Sequence, residues 1–160
     1  MINVRHATAL DAPDMARLLN AIIAQGGTTA LTTQVSGDDL ADWMADSPEQ
    51  SAWHVAEHDG AIVGFQWIGP HDNLPPEACD VATFVQIGRT GLGIGSALFT
   101  ATAKSAKSLG YVWINATIRA DNEGGLIYYQ SRGFRDWHRD HEVPLENGMI
   151  VDKISKRYDV

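Results

Sequence analysis

Three glycines alternate with other residues in the segment 90–96, Thr-Gly-Leu-Gly-Ile-Gly-Ser, and an alanine-rich helical pattern follows directly. A helix that begins this way has free backbone N–H groups at its N-terminus, and no Asp or Glu lies in its first turn to compete for them. Such a helix end favours an anion, and a phosphate or pyrophosphate matches it best. The residues 81–85 before the loop have strand character, so the motif has the strand–turn–helix setting that it requires.

Two common phosphate-binding motifs do not fit this loop. A Walker-type loop ends in Gly-Lys followed by Ser or Thr, whereas Gly95 is followed by Ser96 and Ala97. A dinucleotide fingerprint needs the spacing G-x-G-x-x-G and an acidic residue after the next strand, and the strand predicted at 112–118 is followed by Arg119. A plain glycine-rich turn is the remaining alternative to an anion site.

Two further features could carry chemistry, and the sequence predicts that neither does. His138 and His141 stand in the order H-x-x-H with acidic neighbours, but in a predicted loop without the helical frame of many metal sites, so we expect a solvated surface and no metal. Cys79 has no His partner at a fixed spacing, so a buried small hydrophobe is expected rather than a nucleophile.

Length and composition indicate one domain, 1–160, of ordinary globular type, with 44% hydrophobic and 20% charged residues. The net charge of −8 argues against nucleic acid or an anionic membrane as the main partner and is weakly compatible with an amine substrate. A single cysteine excludes an intramolecular disulfide. The N-terminus lacks an apolar signal core, and no apolar run approaches membrane-spanning length. We therefore expect a cytoplasmic protein.

Periodicity and turn residues predict a mixed α/β order around one central sheet. The expected elements are a strand over 2–8, a helix opened by Asp11 and Pro13, a loop over 25–36, a short helix over 38–45, strands over 51–57 and 61–68 joined by a hairpin turn, a loop over 70–77, a strand over 79–85, a helix over 93–109, a strand over 112–118, a helix over 121–132, and strands over 134–140 and 148–157.

This order of elements resembles the GNAT acyltransferase fold, and two motifs carry the resemblance. The glycine loop is similar to the family's (Gln/Arg)-x-x-Gly-x-(Gly/Ala) sequence, although Thr90 stands where Gln or Arg is usual. The segment 122–134, Asn-Glu-Gly-Gly-Leu-Ile-Tyr-Tyr-Gln-Ser-Arg-Gly-Phe, is similar to the family's N-x-x-(A/S)-x-x-x-Y-x-x-x-G-F. The resemblance covers 2–158. The strand 80–85 before the loop looks most like the phosphinothricin and amino-acid N-acetyltransferase subgroup.

The resemblance implies acetyl-CoA as co-substrate, held between a splayed strand, the loop and the following helix. Backbone groups at the strand end would surround the thioester and pantetheine arm, the loop amides would hold the pyrophosphate, and a side-chain amide would bind the pantetheine arm. The residues carried over for cofactor binding are Val85, Ile87, Thr90, Gly91, Gly93, Gly95, Ser96, Asn122 and Tyr129.

Acyl transfer to an amine needs a base for the amine proton and benefits from an acid for the leaving thiolate. The resemblance assigns the acid to Tyr129, with a half-buried packing role as the alternative; its neighbour Tyr128 is expected in the core. Asp80 is the candidate base, because a carboxylate within a mostly apolar strand is costly without a partner or a task. A salt bridge or a solvated strand edge is the alternative for Asp80. Glu57 and His58 are the other candidate bases.

The interpretation that follows is a GNAT-fold N-acetyltransferase that moves acetyl from acetyl-CoA to the primary amine of a small molecule, with an amino acid or its analogue as the leading acceptor and direct attack in a ternary complex. Acetylation of a protein or peptide amine, a polyamine or an antibiotic is the alternative within enzymes, and a non-catalytic acyl-CoA-binding module is the alternative outside them. Trp43 and Trp67 are candidates for the acceptor pocket, and a homodimer is possible.

Overall fold

A computed structural model describes residues 1–160 and contains one seven-stranded sheet and four α-helices. In chain order the elements are β1 (Asn3–His6), α1 (Ala12–Gln25), α2 (Gly37–Ala45), β2 (Ala52–His58), β3 (Ala61–Gly69), β4 (Ala78–Val85), α3 (Ile94–Ser108), β5 (Trp113–Arg119), α4 (Glu123–Ser131), β6 (Arg135–Pro144) and β7 (Ile150–Asp159). Short 3-10 turns precede α1 and β2. No helix is long and apolar enough to cross a membrane.

The strand order is β1-β2-β3-β4-β5-β7-β6, and every neighbouring pair is antiparallel except the parallel pair β4–β5. This parallel pair is joined over only three residue pairs, Ala78–Trp113, Cys79–Ile114 and Asp80–Asn115. Both strands continue beyond that point, β4 to Val85 paired with β3 and β5 to Arg119 paired with β7, without pairing to each other. The sheet therefore splits in its middle, and Asp80 lies where the split begins.

Helices cover the two faces of the sheet unequally. Helices α3 and α4 pack on one face, in clusters that include Phe99 and Tyr129 beside Cys79 and Val81 of β4. Helices α1 and α2 pack on the opposite face over β2, β3 and the end of β4, where Phe84 joins their cluster. Alternation along a strand places Asp80 on the face that α1 and α2 cover, and Val81 and Cys79 on the other. Beyond β4, the face of the sheet that carries Asp80 is lined by polar residues.

Local sequence explains the ends of several elements. Ser36 caps α2, with its hydroxyl accepting from the Asp39 amide at 3.0 Å, while the Asp39 carboxylate accepts from the Ser36 amide at 2.9 Å. The β2–β3 hairpin turns at Asp59 and Gly60, whose φ angles of 51° and 78° suit a two-residue Asp-Gly turn. The predicted hairpin is therefore confirmed.

The mixed α/β fold class is confirmed, with one correction in the C-terminal third. The strand expected to end at Asp140 continues as β6 to Pro144. It does so by shifting its register against β7 between Asp140 and Val143, and Glu142 there has a φ of 53°. Sequence periodicity fails at such a bulge, because the extra residue interrupts the alternation of faces. His138 and His141 therefore lie on a strand rather than in the expected loop.

A buried histidine gives the fold a predicted pH dependence. His54 is 4% exposed, its ring lies 4.5 Å from that of His6, and its Nδ1 atom has no partner. Burial, with a smaller contribution from the nearby His6, lowers the pKa of His54 to about 4. Because the unfolded chain binds this proton first, the free energy of unfolding falls as the pH drops from about 6.5 towards 4.

The measurement is urea unfolding at pH 7 and pH 5. We expect His54→Leu to remove roughly 1 kcal/mol of the loss in stability between these two pH values, after a discount for solvent screening. His58→Gln, at a half-buried histidine of the same strand, is the matched control and should leave the pH dependence as in the parent. An equal pH dependence in the parent and in His54→Leu would contradict this account.

Candidate active site

A cavity of about 1510 Å³ opens where β4 and β5 diverge. Its walls come from the glycine loop and α4 on one side, and from the α1–α2 loop, β5, β6 and β7 on the other. All ten residues predicted as site residues line it: Asp80, Val85, Ile87, Thr90, Gly91, Gly93, Gly95, Ser96, Asn122 and Tyr129. The split in the sheet thus joins two polar regions on opposite faces into one channel.

The glycine loop leads into α3 with free amides. Gly91 and Gly93 have φ angles of 82° and 84°, and a Cβ at either position would meet nothing within 4 Å. Glycine is therefore required here by backbone conformation rather than by crowding. Gly93 is the N-cap residue without a side-chain cap, and the first intrahelical bond runs from the Ala97 amide to the Gly93 carbonyl. The amides of the first turn remain available to an anion.

Gly95 is required for a different reason, a close approach of Tyr128. A Cβ on Gly95 would lie 2.7 Å from the Tyr128 ring, and the Tyr128 hydroxyl donates to the Gly95 carbonyl at 2.7 Å. This contact joins α4 to the first turn of α3. Tyr128 was expected only in the core; it is half-buried, lines the cavity and holds the loop in place.

A hydrogen-bonded group surrounds the phenol of Tyr129. The Gln66 amide nitrogen donates to Thr83 Oγ1 at 2.7 Å and to the Tyr128 hydroxyl at 3.2 Å, and Thr83 Oγ1 lies 2.7 Å from the Tyr129 hydroxyl. Tyr128 gives its proton to a carbonyl, so it must accept from Gln66, which fixes the orientation of that amide. Gln66 is fully buried and its Oε1 atom has no partner, an unfavourable arrangement that is unusual in a purely structural core.

This arrangement sets the direction of the Tyr129 proton. Thr83 accepts from Gln66, and its own proton can be donated to the Tyr129 hydroxyl, whose oxygen lies 2.7 Å from Thr83 Oγ1. If Thr83 donates to Tyr129, every proton in the group is used and the phenolic O–H is free to point into the cavity. Burial raises the pKa of Tyr129 above the ordinary tyrosine value, while the Thr83 hydrogen bond acts in the opposite direction. The phenol is therefore protonated at neutral pH.

Asp80 occupies the opposite face at the start of the split. Its Oδ1 atom accepts from Asn115 Nδ2 at 2.9 Å. Desolvation raises the pKa of the Asp80 carboxyl, and the Asn115 hydrogen bond and the charges of His71 and Lys153 reduce that rise. A carboxyl whose pKa is raised above the ordinary aspartate value is a better proton acceptor than a surface aspartate.

Asn115 connects Asp80 to the edge strand of the sheet. Its Nδ2 atom also donates to Thr117 Oγ1 at 3.0 Å, and its Oδ1 atom accepts from Trp137 Nε1 of β6 at 2.9 Å. Asn115 is 4% exposed, whereas Trp137 is 47% exposed and lines the cavity. The polar side chains of β5 thus adjoin an aromatic side chain of the cavity wall.

The α1–α2 loop, expected over 25–36, covers the side of the cavity that carries Asp80. Hydrogen bonds join this loop to β5 and α4. Arg119, itself paired with Asp121, donates to the Thr29 carbonyl at 3.1 Å. Asn122 donates to the Thr28 carbonyl at 3.1 Å, and its Oδ1 atom accepts from the Gly125 amide at 3.0 Å and caps α4. The contact of Asn122 with a pantetheine arm stays a prediction.

Several other candidates lie away from the cavity or are engaged elsewhere. Glu57 is paired with Arg5, and neither it nor His58 lines the cavity. Trp43 and Trp67, the candidates for an acceptor pocket, do not line it either, whereas Trp137 does.

The remaining candidates for chemistry are held by other contacts. His138 and His141 each lie near an aspartate, Asp140 and Asp152 respectively. Cys79 is fully buried, and burial raises the pKa of its thiol to about 12, which makes it unreactive.

Sequence reasoning missed four residues of the site: Gln66, Thr83, Asn115 and Trp137. Two of them carried a usable signal. Gln66 and Asn115 are polar residues within otherwise apolar strand segments, the same signal that identified Asp80. Trp137 gave no such signal, because its position depends on β6 pairing with β7 far along the chain.

Comparison with known proteins agrees with this geometry. A model of the acetyltransferase (GNAT) family matches residues 18–134. Phosphinothricin N-acetyltransferase of Streptomyces viridochromogenes is 23% identical over 164 residues, covering 89% of this chain and 90% of that protein.

Solved structures share the fold over nearly the whole chain. Ribosomal-protein-alanine N-acetyltransferase from Brucella melitensis superposes with a TM-score of 0.90 at 22% identity, covering 99% of both chains. A phosphinothricin acetyltransferase from Sinorhizobium meliloti, solved in complex with AcCoA, superposes with a TM-score of 0.89 at 18% identity, covering 99% of this chain and 88% of that one. With the family match over most of its length, the chain belongs to the GNAT family of acetyltransferases.

Proposed function

We propose that this acetyltransferase moves the acetyl group of acetyl-CoA to the primary amine of a small molecule, and that the acceptor is an amino acid or an analogue. The observation that carries the proposal is the split between β4 and β5, with the Asp80 carboxyl on one face and the Tyr129 phenol on the other. A thioester lying in the split has an acceptor side with a base and a cofactor side with an acid.

The proposed reaction is direct attack in a ternary complex. Asp80 takes a proton from the ammonium form of the acceptor, directly or through a water, and the neutral amine attacks the thioester carbonyl carbon. The N–C bond forms, the nitrogen loses its second proton to solvent, the C–S bond breaks, and the CoA thiolate leaves; solvent later restores the proton that Tyr129 gives up. Tyr129 gives its proton to that thiolate, and the bond from Thr83 stabilises the phenolate that results. Backbone groups near Val85 are the proposed donors to the oxyanion.

The charges lining the cavity favour an acceptor that carries an anion beside its amine. The chain has a net charge of −8, but the lining residues comprise three cations, Arg89, Arg119 and Lys153, against two carboxylates, Asp80 and Asp140. Arg119 is paired with Asp121, and Asp140 with His138, whereas Lys153 has no ion-pair partner. An amino acid can place its amine towards Asp80 and its carboxylate towards Lys153. A polyamine or an aminoglycoside has no anion to place beside Lys153.

An acceptor panel tests this proposal by the release of free CoA thiol. The panel contains amino acids, phosphinothricin, methionine sulfone, polyamines, aminoglycosides and lysine peptides, and each active amino acid is paired with its amide. We expect turnover with an amino acid and a kcat/KM at least about 10-fold lower for the amide, which lacks the charge. Equal rates for acid and amide would contradict the acceptor class. Saturable acetyl-CoA binding without turnover would favour the non-catalytic module.

Acetylation of a protein or peptide amine is the second candidate, supported by the structural likeness to a ribosomal-protein-alanine N-acetyltransferase. The lysine peptides of the panel, with an added peptide bearing a free N-terminal alanine, separate the two candidates. A peptide that outperforms every free amino acid would overturn the small-molecule proposal.

The acid role of Tyr129 gives a further prediction. Tyr129→Phe removes the proton donor and should lower kcat about 10- to 100-fold, with little change in the dissociation constant for acetyl-CoA. Thr83→Val should give a smaller loss, and Thr83→Ser, which keeps the hydroxyl, should restore most of it. The measurement is kcat together with acetyl-CoA binding for all three variants. A Tyr129→Phe enzyme with the parent's kcat would leave this residue a packing role only.

A further inference from the structure

We propose that Trp137, on the edge strand β6, is a positioning residue for Asp80: its indole N–H fixes the orientation of the Asn115 amide, so that Asn115 presents N–H and not oxygen to the Asp80 carboxylate. The inference rests on the proposed function, because Asp80 is the base of that reaction. Its first test does not require turnover, so the two can fail separately.

The direction of this chain of hydrogen bonds follows from the donors and acceptors. The indole nitrogen of Trp137 can only donate, so the Asn115 atom 2.9 Å away must be its oxygen, Oδ1. The other amide atom is then Nδ2, which is 2.9 Å from Asp80 Oδ1 and 3.0 Å from Thr117 Oγ1. Each polar atom of the amide has a partner. Were the amide reversed, its NH₂ would face the indole N–H and its oxygen would face Asp80, and both contacts would be lost.

This orientation has a chemical consequence for Asp80. A carboxylate that accepts an N–H is stabilised in its charged form, and a base must be charged to take a proton. An amide oxygen at the same place would instead favour the protonated acid. Trp137 therefore acts on Asp80 without touching it, through one buried side chain.

Other charged and titratable groups lie around Asp80 or on the cavity wall beside Trp137. They are His71 of the β3–β4 loop, Cys79 of the same strand, Tyr129 of α4, Lys153 of β7, and the pair His138 and Asp140 of β6. Because the His138 ring lies 5.5 Å from that of Trp137, the substitution must keep an aromatic ring, so that a change in the titration of Asp80 reports the loss of the indole N–H.

Trp137 lies where a bound acceptor can contact the hydrogen bonds that run from its indole through Asn115 to Asp80. Its ring packs edge-on against Trp113 at 5.5 Å between centroids, which holds it in place, yet 47% of the residue is exposed on the wall of the cavity. A bound acceptor that covers this ring also shields the indole–amide bond from water.

The direct test is the indole N–H signal of Trp137 in a ¹H–¹⁵N spectrum of the free protein, followed from pH 8 to pH 4. The chain has five tryptophans, and Trp137→Phe assigns the signal by its loss. We expect the Trp137 signal to share a titration step with the Asp80 carboxyl carbon and to lose that step in Asp80→Asn, whatever step it owes to the adjacent His138 ring. A Trp137 signal that does not change while the Asp80 carboxyl carbon titrates would overturn the proposal.

The second test is the pH profile of kcat with one acceptor. In Trp137→Phe, which keeps an aromatic ring but has no N–H, the acid limb should move to higher pH by about 0.5 to 1 unit. Trp43→Phe, at an exposed tryptophan outside the cavity, is the matched control and should keep the parent profile. An acid limb at the parent's position in Trp137→Phe would show that the ring serves packing alone.

Discussion

Asp80→Asn is expected to lower kcat for acetyl transfer by about 10²-fold or more, which is the ordinary contribution of a general base. The substitution keeps the size of the side chain and removes its ability to take a proton. Because the carboxyl lies on the face opposite Tyr129 and helices α3 and α4, acetyl-CoA should bind with the parent's dissociation constant. The measurement is steady-state thiol release together with calorimetric binding of acetyl-CoA.

Glu57→Gln provides the control for this prediction. Glu57 was the other carboxylate considered as a base, and the structure places it beside Arg5, outside the cavity. The variant should therefore keep the parent's kcat. A large loss in Glu57→Gln with an active Asp80→Asn would reverse the assignment of the base.

Gly93→Asp is expected to weaken acetyl-CoA binding about 10- to 100-fold more than Gly93→Asn. Both side chains tolerate the positive φ of 84° better than most, both are good N-caps, and a Cβ there meets no atom within 4 Å. The pair therefore differs mainly in one negative charge at the helix end proposed to hold the pyrophosphate. Since the effect is electrostatic, the difference between the two dissociation constants should shrink at high salt.

If Gly93→Asp and Gly93→Asn bind acetyl-CoA alike at low salt, the pyrophosphate does not lie at the first turn of α3. The free amides at that turn would then have another role, and the glycines would serve the turn alone.

Most of the fold could be predicted from the sequence, because its signals are local. The hairpin at Asp59 and Gly60, the capping box at Ser36 and the glycine start of α3 each depend on residues within a few positions. The end of β6 could not be predicted, because its pairing shifts at a bulge against β7. Long-range register is set by the partner strand and leaves little trace in one strand's own pattern.

The candidate site likewise has one part that local motifs predict and another that only the folded sheet brings together. The glycine loop and the segment around Tyr129 are contiguous motifs, and all the residues predicted from them line the cavity. The residues that orient Tyr129 and Asp80 come from β3, β4, β5 and β6, and only the folded sheet brings them together. Gly95 shows a further limit of motif reasoning, because its lack of a side chain also accommodates Tyr128.

The most direct test of the central claim is an initial-velocity study of thiol release in which acetyl-CoA and the best amino-acid acceptor of the panel are varied together. Direct transfer in a split between two strands requires both substrates to be present at once. The account predicts intersecting lines in double-reciprocal plots, with no CoA released in the absence of acceptor. Parallel lines with a stoichiometric burst of CoA from enzyme and acetyl-CoA alone would indicate an acetylated enzyme and contradict it.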